Sequence, residues 1–277
     1  MKNKILIGVL VSFLVISVVA VTASIAANDK AKEEPKGPDE KAKAPDLEKT
    51  EFIHWKKGFA KPPCNNDGVC DPEENPSCPD CKNGGGEEPP EPTTACYAFI
   101  GQYGKRLLKW KKLPVTYVIN PTDSGLNEGD VTTAISAGAE EWDIYAGPEL
   151  FNDTYTVDNS ATYGGVPDEQ NVLSFGNYPT TGVIAVTTVW YNPATKQIVE
   201  FDILFDTDFE WGDATADSTV MDLQNIATHE LGHGVGLDDV YEDTCSEVTM
   251  YGYSVEGETK KSTLEEPDVI GILELYP

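Results

Sequence analysis

At 277 residues the chain is long enough for one medium domain with extensions, and its 47 Asp and Glu against 20 Lys and Arg give a formal charge of −27. That charge argues against a nucleic-acid partner and disfavours adhesion to anionic membranes. Only three histidines occur, His54, His229 and His233, so any metal site must draw its other ligands from carboxylates, thiolates or carbonyls.

In residues 1–27, Lys2 and Lys4 precede an apolar run from Ile5 to Ala27 that ends in small residues. This is the pattern of a secretory signal peptide cleaved near Ala26 or Ala27. A run of roughly 20 apolar residues also suits an uncleaved signal anchor, which would be the chain's one membrane attachment. Both readings export the remainder, to the extracellular space or the cell surface. Residues 28–63 are rich in Lys, Glu, Pro and Asp. Such a composition predicts a disordered stalk, because too little apolar surface is available to offset the cost of ordering. Within it, "FIHWKKGFA" (52–60) is an aromatic island that could dock on a globular part, and His54 reads as a surface residue.

"CNNDGVCDPEENPSCPDC" (64–81) has almost no apolar residues and needs covalent staples to fold. It resembles small Cys-rich modules of exported microbial proteins. Cys64, Cys70, Cys78 and Cys81 are expected to pair among themselves, leaving Cys96 and Cys245 to bridge the two ends of the last domain. Two alternatives stay open: a four-cysteine zinc site, and a calcium loop using Asn65, Asp67, Gly68 and Glu74, although Pro63 stands where the first carboxylate belongs. "KNGGGEEPPEPTTA" (82–95) is a Gly/Pro/Glu linker.

Residues 96–277 carry the sustained apolar patterning and most of the acidity, with 31 Asp and Glu against 8 Lys and Arg. "LPVTYVIN" (113–120), "VLSFGNY" (172–178), "VIAVTTVWYN" (183–192) and "IVEFDILFDTDFEW" (198–211) read as strands. "VTTAISAGAEEWDIYAG" (131–147) has helical spacing. "STVMDLQNIATHELGHGVG" (218–236) reads as a helix capped by Asp217 or Ser218, and "PDVIGILEL" (267–275) as a final helix. The order predicts an α+β domain: a twisted mixed sheet, a central helix and a C-terminal helix, preceded by the small disulfide-rich module.

The central helix carries "HELGHGVGLDD" (229–239). Positions i and i+4 share a helix face, so His229 and His233 can chelate one ion. Glu230 lies about 100° further round the axis, where it can reach a metal-bound water as a general base. Zn²⁺ in such a site polarises a carbonyl and lowers the pKa of its water towards about 7. Gly234 and Gly236 can end the helix and swing Asp238 or Asp239 back towards the metal.

Residues 96–277 resemble a metzincin, most closely of the matrixin type. His229, Glu230, His233 and Gly236 match the HExxHxxGxxH pattern. Asp239 stands at its last position, as in the snapalysin-like variant. "VTMYGY" (248–253) resembles the Met-turn, with Met250 beneath the metal. "DVIGILELYP" resembles the matrixin C-terminus. The resemblance implies a zinc endopeptidase acting on proteins or peptides, with His229, His233 and Asp239 as ligands and Glu230 as catalytic base. It implies that residues 183–192 form the edge strand on which substrate is laid and that residues 252–266 wall the S1′ pocket. No "PRCGxPD" switch occurs, and no histidines are left for a second, structural zinc. Calcium near Asp206 and Asp208 is a further candidate. An Asp ligand should make the zinc-bound water less acidic than three histidines would. Two other readings are a non-catalytic surface protein keeping the fold and a different HExxH hydrolase with a distant Glu ligand.

Overall fold

A computed structural model describes residues 47–59, 96–101 and 107–277. The expected signal or anchor, the Cys-rich module with Cys64, Cys70, Cys78 and Cys81, and the linker lie outside these residues. Among the described residues no helix is long and apolar enough to cross a membrane.

The architecture is α+β with a mixed sheet. Its strands are β1 (Glu48–Lys56), β3 (Val118–Ile119), β4 (Thr156–Val157), β5 (Val172–Gly176), β6 (Val183–Asn192), β7 (Gln197–Asp206) and β11 (Tyr253–Ser254), in the order β11-β1-β6-β7-β5-β3-β4. The β5, β3 and β4 strands run parallel to β7, whereas β6 is antiparallel to it. Four short strands lie outside the sheet: β2 (Ala98–Phe99) pairs with β10 (Leu237–Asp238), and β8 (Trp211–Gly212) pairs with β9 (Met221–Asp222). The helices are α1 (Glu128–Asp143), α2 (Leu223–Gly234) and α3 (Glu266–Leu275).

Helix α1 starts where Asn127 caps Asp130 N–H, and it turns Val131, Ile135, Ala139 and Trp142 into the core. Those residues pack on α2 and belong to one continuous apolar cluster with Phe201 and Ile203 of β7. The ring N–H of Trp142 donates to Thr228 O at 2.8 Å and ties α1 to α2.

Two expectations are corrected. Helix α2 begins at Leu223 with Asp222 as its cap, not at Asp217 or Ser218. The reason is local. The Asp213 and Asp217 side chains accept from Thr215 and Thr219 N–H, two residues on, which holds 213–219 in turns instead of a helix. The larger correction concerns the stalk: its residues 48–56 form strand β1, and His54 is 1% exposed. Strand β1 pairs antiparallel along β6 from Glu48↔Tyr191 to Trp55↔Val183, and parallel with β11. Composition fails here because the pairing with β6 satisfies the backbone, while Phe52, Ile53 and Trp55 find apolar partners contributed by distant parts of the chain. Strand β6 is therefore an interior strand, covered by β1.

Candidate metal centre

Helix α2 brings His229 and His233 onto one face, both buried, with ring centroids 4.9 Å apart. Each ring is turned by a carbonyl: His229 Nδ1 faces Thr249 O at 2.7 Å and His233 Nδ1 faces Leu237 O at 3.0 Å. With Nδ1–H donating, both Nε2 atoms remain as acceptors aimed at a common point. The helix ends at Gly234. Gly236 then adopts φ +113°, and a Cβ there would lie 2.5 Å from Leu108 O, so glycine is required at the turn. The turn returns the chain so that Asp239 Oδ1 lies 3.2 Å from His229 Nε2 and 3.6 Å from His233 Nε2.

The three residues form a group whose candidate ligand atoms all lie within 4.8 Å of one another. His229 Nε2 and Asp239 Oδ1 are buried and make no hydrogen bond. Buried polar atoms are rarely left so, and two such atoms facing one point in an N,N,O set fit a divalent cation of zinc type. Tyr241 Oη donates to Asp239 Oδ2 at 2.7 Å, leaving Oδ1 for the ion. Asp238 is turned elsewhere: it sits in the β10–β2 ladder opposite Ala98, and its Oδ1 accepts from Asp239 N–H.

The electrostatics follow from burial. Desolvation pushes His233 down to about 4, which keeps it neutral. Burial also works to lower His229, but Asp239 and Glu230 beside it outweigh that and raise it. For Asp239 burial works upward, and the two imidazoles and Tyr241 hold the carboxyl well below the usual range. Glu230 is fully buried, and desolvation pushes it up to about 7. Its Oε1 lies 4.0 Å from His229 Nε2, and its Oε2 accepts from Thr187 Oγ1 of β6 at 2.5 Å.

Met250 packs beneath α2. A Cβ at Gly232 would collide with its Sδ and lie 2.7 Å from Trp142 Cζ2, so glycine leaves room for the thioether. The turn around Met250 is held by Asp268 at the start of α3, whose carboxylate accepts from the N–H groups of Thr249 at 2.9 Å and Met250 at 3.2 Å. Asp268 thus fixes the carbonyl that orients His229. Cys96 and Cys245 are joined by a disulfide with Cα atoms 5.3 Å apart, which ties β2 to the loop before Met250. Asp206 is buried, its Oδ1 accepting from Asp208 and Tyr178 N–H. Among the described residues no third carboxylate or imidazole joins Asp206 and Asp208 in a comparable group.

Sequence reasoning missed Thr187, Tyr241, Thr249 and Asp268, whose contribution depends on long-range packing. It also missed His54. The His54 ring lies 4.0 Å from that of His229, its Nδ1 is 3.0 Å from Glu230 Oε1, and its Nε2 is 3.0 Å from Ser254 Oγ of β11. Two residues earlier on the same strand face, Phe52 stacks on His233 at 4.2 Å with the planes 12° apart.

The chain is 30% identical over 193 residues to Metalloendoproteinase 1-MMP of Arabidopsis thaliana, covering 66% of this chain and 48% of that one. It is 30% identical over 173 residues to Stromelysin-1 of Mus musculus, covering 61% and 33%. It is 26% identical over 182 residues to Matrix metalloproteinase-18 of Xenopus laevis, covering 64% and 36%. The chain thus matches less than half the length of each of these relatives. The family described as Matrixin matches residues 109–277, a span that holds His229, Glu230, His233, Asp239 and Met250 and exceeds half of the sequence: the chain belongs to the matrixin family.

Proposed function

We propose that the protein is an exported zinc endopeptidase in which His229, His233 and Asp239 hold the metal and Glu230 is the catalytic base. The observation that carries this reading is the convergence of two imidazole nitrogens and one carboxylate oxygen, buried together, with His229 Nε2 and Asp239 Oδ1 making no hydrogen bond and a second carboxylate alongside. Bound zinc would supply Lewis-acid polarisation of the scissile carbonyl and acidify the attacking water. The side chains do the rest. Thr249 O and Leu237 O keep both imidazoles in the tautomer that presents Nε2. Tyr241 fixes the Asp239 carboxylate. Glu230, with Oε1 4.0 Å from His229 Nε2, is placed to take a proton from water at the metal and return it to the leaving amine. The apolar N-terminal run and the Cys96–Cys245 disulfide support export. The relatives' names, a metalloendoproteinase and a matrix metalloproteinase among them, support peptide-bond hydrolysis.

The test compares wild type with Glu230→Gln, each loaded with zinc and incubated at length with casein and a peptide library. Equal zinc content with cleavage by wild type alone is expected. Because Phe52 and His54 crowd the centre, the same assay includes a chain with Phe52, His54 and Trp55 replaced by alanine. Absence of cleavage by that chain and by wild type would overturn the proposal.

A further inference from the structure

An extended segment of this chain already lies where a peptide would bind. Strand β1 is bonded antiparallel to β6 on one side and parallel to β11 on the other. Backbone bonds reach both walls: Trp55 N–H to Gly252 O, Lys56 N–H to Gly182 O and Lys57 N–H to Ser254 O. Adding a strand to a sheet edge is a general way of holding a peptide, with alternate side chains filling pockets. Here the alternation sends Phe52 and His54 onto the metal-binding histidines. It sends Ile53 and Trp55 into a second apolar cluster with Val183, Val186 and the flanking Tyr163, Tyr178 and Tyr253.

The base is engaged at both oxygens. Glu230 Oε1 faces His54 Nδ1, and Oε2 accepts from Thr187. The other ring nitrogen, Nε2, faces Ser254 Oγ at 3.0 Å, and the Ser254 hydroxyl donates to Glu258 Oε1 at 3.0 Å. The Ser254 hydroxyl is in turn held by Lys261 Nζ at 2.7 Å, a lysine that is itself fully buried and paired with Glu258. At the end of the strand, Lys56 and Glu256 form an ion pair across to the loop after β11. The receiving surface is thus built for this segment, down to a polar partner for each nitrogen of His54.

We infer that β1 is a latch in cis. It fills the cleft between β6 and β11, and its His54 occupies the catalytic base, so the closed chain does not cleave peptides and the activity of wild type comes from the fraction of molecules in which β1 has left. The device differs from a thiol switch, since what reaches the centre is an imidazole on a pleated strand and its target is the base. The inference rests on the endopeptidase reading for its functional meaning, although the occupancy of the cleft can be measured without turnover.

The test uses the full chain loaded with zinc and compares wild type with Phe52→Ala/His54→Ala/Trp55→Ala. The probe is a fluorescent peptide hydroxamate, which needs both the metal and a vacant cleft. The triple variant should bind the probe at least about 10-fold more tightly, with peptide cleavage rising in parallel, because a competing intramolecular occupant lowers apparent affinity by the fraction of open molecules. Equal probe affinity in the two proteins would overturn the latch, whatever their activities. Tighter probe binding with no cleavage by either protein would uphold the latch and defeat the endopeptidase reading. Should the triple variant lose its zinc or its fold, His54→Ala alone is measured, and unchanged probe affinity there overturns the inference.

Discussion

Asp268→Asn tests whether the metal centre is organised from behind, through the Met250 turn. The carboxylate accepts three backbone N–H groups: Thr249 and Glu265 at Oδ2, 2.9 and 3.0 Å away, and Met250 at Oδ1, 3.2 Å away. An asparagine has one oxygen. Turned to the Thr249 side, it keeps two bonds without their charge assistance and sets its NH₂ against Met250 N–H. An orphaned buried donor costs about 1–3 kcal/mol, and each bond loses about 1 kcal/mol on becoming neutral. Removing a buried charge offsets part of this, since burial already raises the Asp268 carboxyl. A net loss of about 2–3 kcal/mol corresponds to a fall in Tm of about 4–12 °C for a domain of this size. Thr249 O would also lose its anchor, so zinc affinity should fall about 10-fold, the usual scale for a partner one step behind a ligand. Thermal melts of the metal-free protein followed by circular dichroism, with zinc competition titrations alongside, read both quantities. A Tm within about 2 °C of wild type together with zinc affinity within about twofold would refute the reasoning.

Three further predictions follow from packing and charge. Gly232→Ala drives a methyl into Met250 Sδ and Trp142; overpacking of about 1–3 kcal/mol outweighs a helix gain of about 1 kcal/mol, so Tm should fall by a few degrees, and a rise would show that the thioether has room to move. Tyr241→Phe removes the bond to Asp239 Oδ2 and should weaken zinc about 10-fold in a competition titration while leaving the metal-free melting curve nearly unchanged. Burial raises Glu200 to about 7 and Asp202 to about 6. Both carboxyls therefore bind a proton more tightly folded than unfolded, and the stability they contribute is complete below about pH 4 and lost as pH rises towards 7. Relative to wild type, Glu200→Gln should gain melting temperature as pH rises from about 5 to about 8, and a difference that does not change with pH would remove Glu200 from the account.

What could be read from the chain depended on how local the information was. His229, Glu230 and His233 sit within five residues on one helix, and Gly236 and Asp239 follow within the next six, so spacing alone places them. Met250 was legible for the same reason, as a short turn with a known pattern. Asp222 was not, because Asp217 and Ser218 look equally able to cap a helix and Asp217 is engaged instead in its own turn. Residues 113–120 contribute only the two-residue strand β3 between β5 and β4 and a single bridge from Val115 to Phe151. Strand β1 was illegible in the strongest sense. Its flanks have the composition of a disordered stalk, and its partners lie more than a hundred residues away, at Val183–Tyr191 and Tyr253–Ser254. Only the aromatic island at 52–55 signalled that the segment had something to bury.

The central claim is that His229, His233 and Asp239 together hold one zinc ion. It is tested most directly by zinc content at equilibrium in wild type, Asp239→Ala and Asp238→Ala. The account predicts one zinc per chain in wild type and Asp238→Ala, and loss of tight binding in Asp239→Ala. Full zinc retention by Asp239→Ala would contradict it.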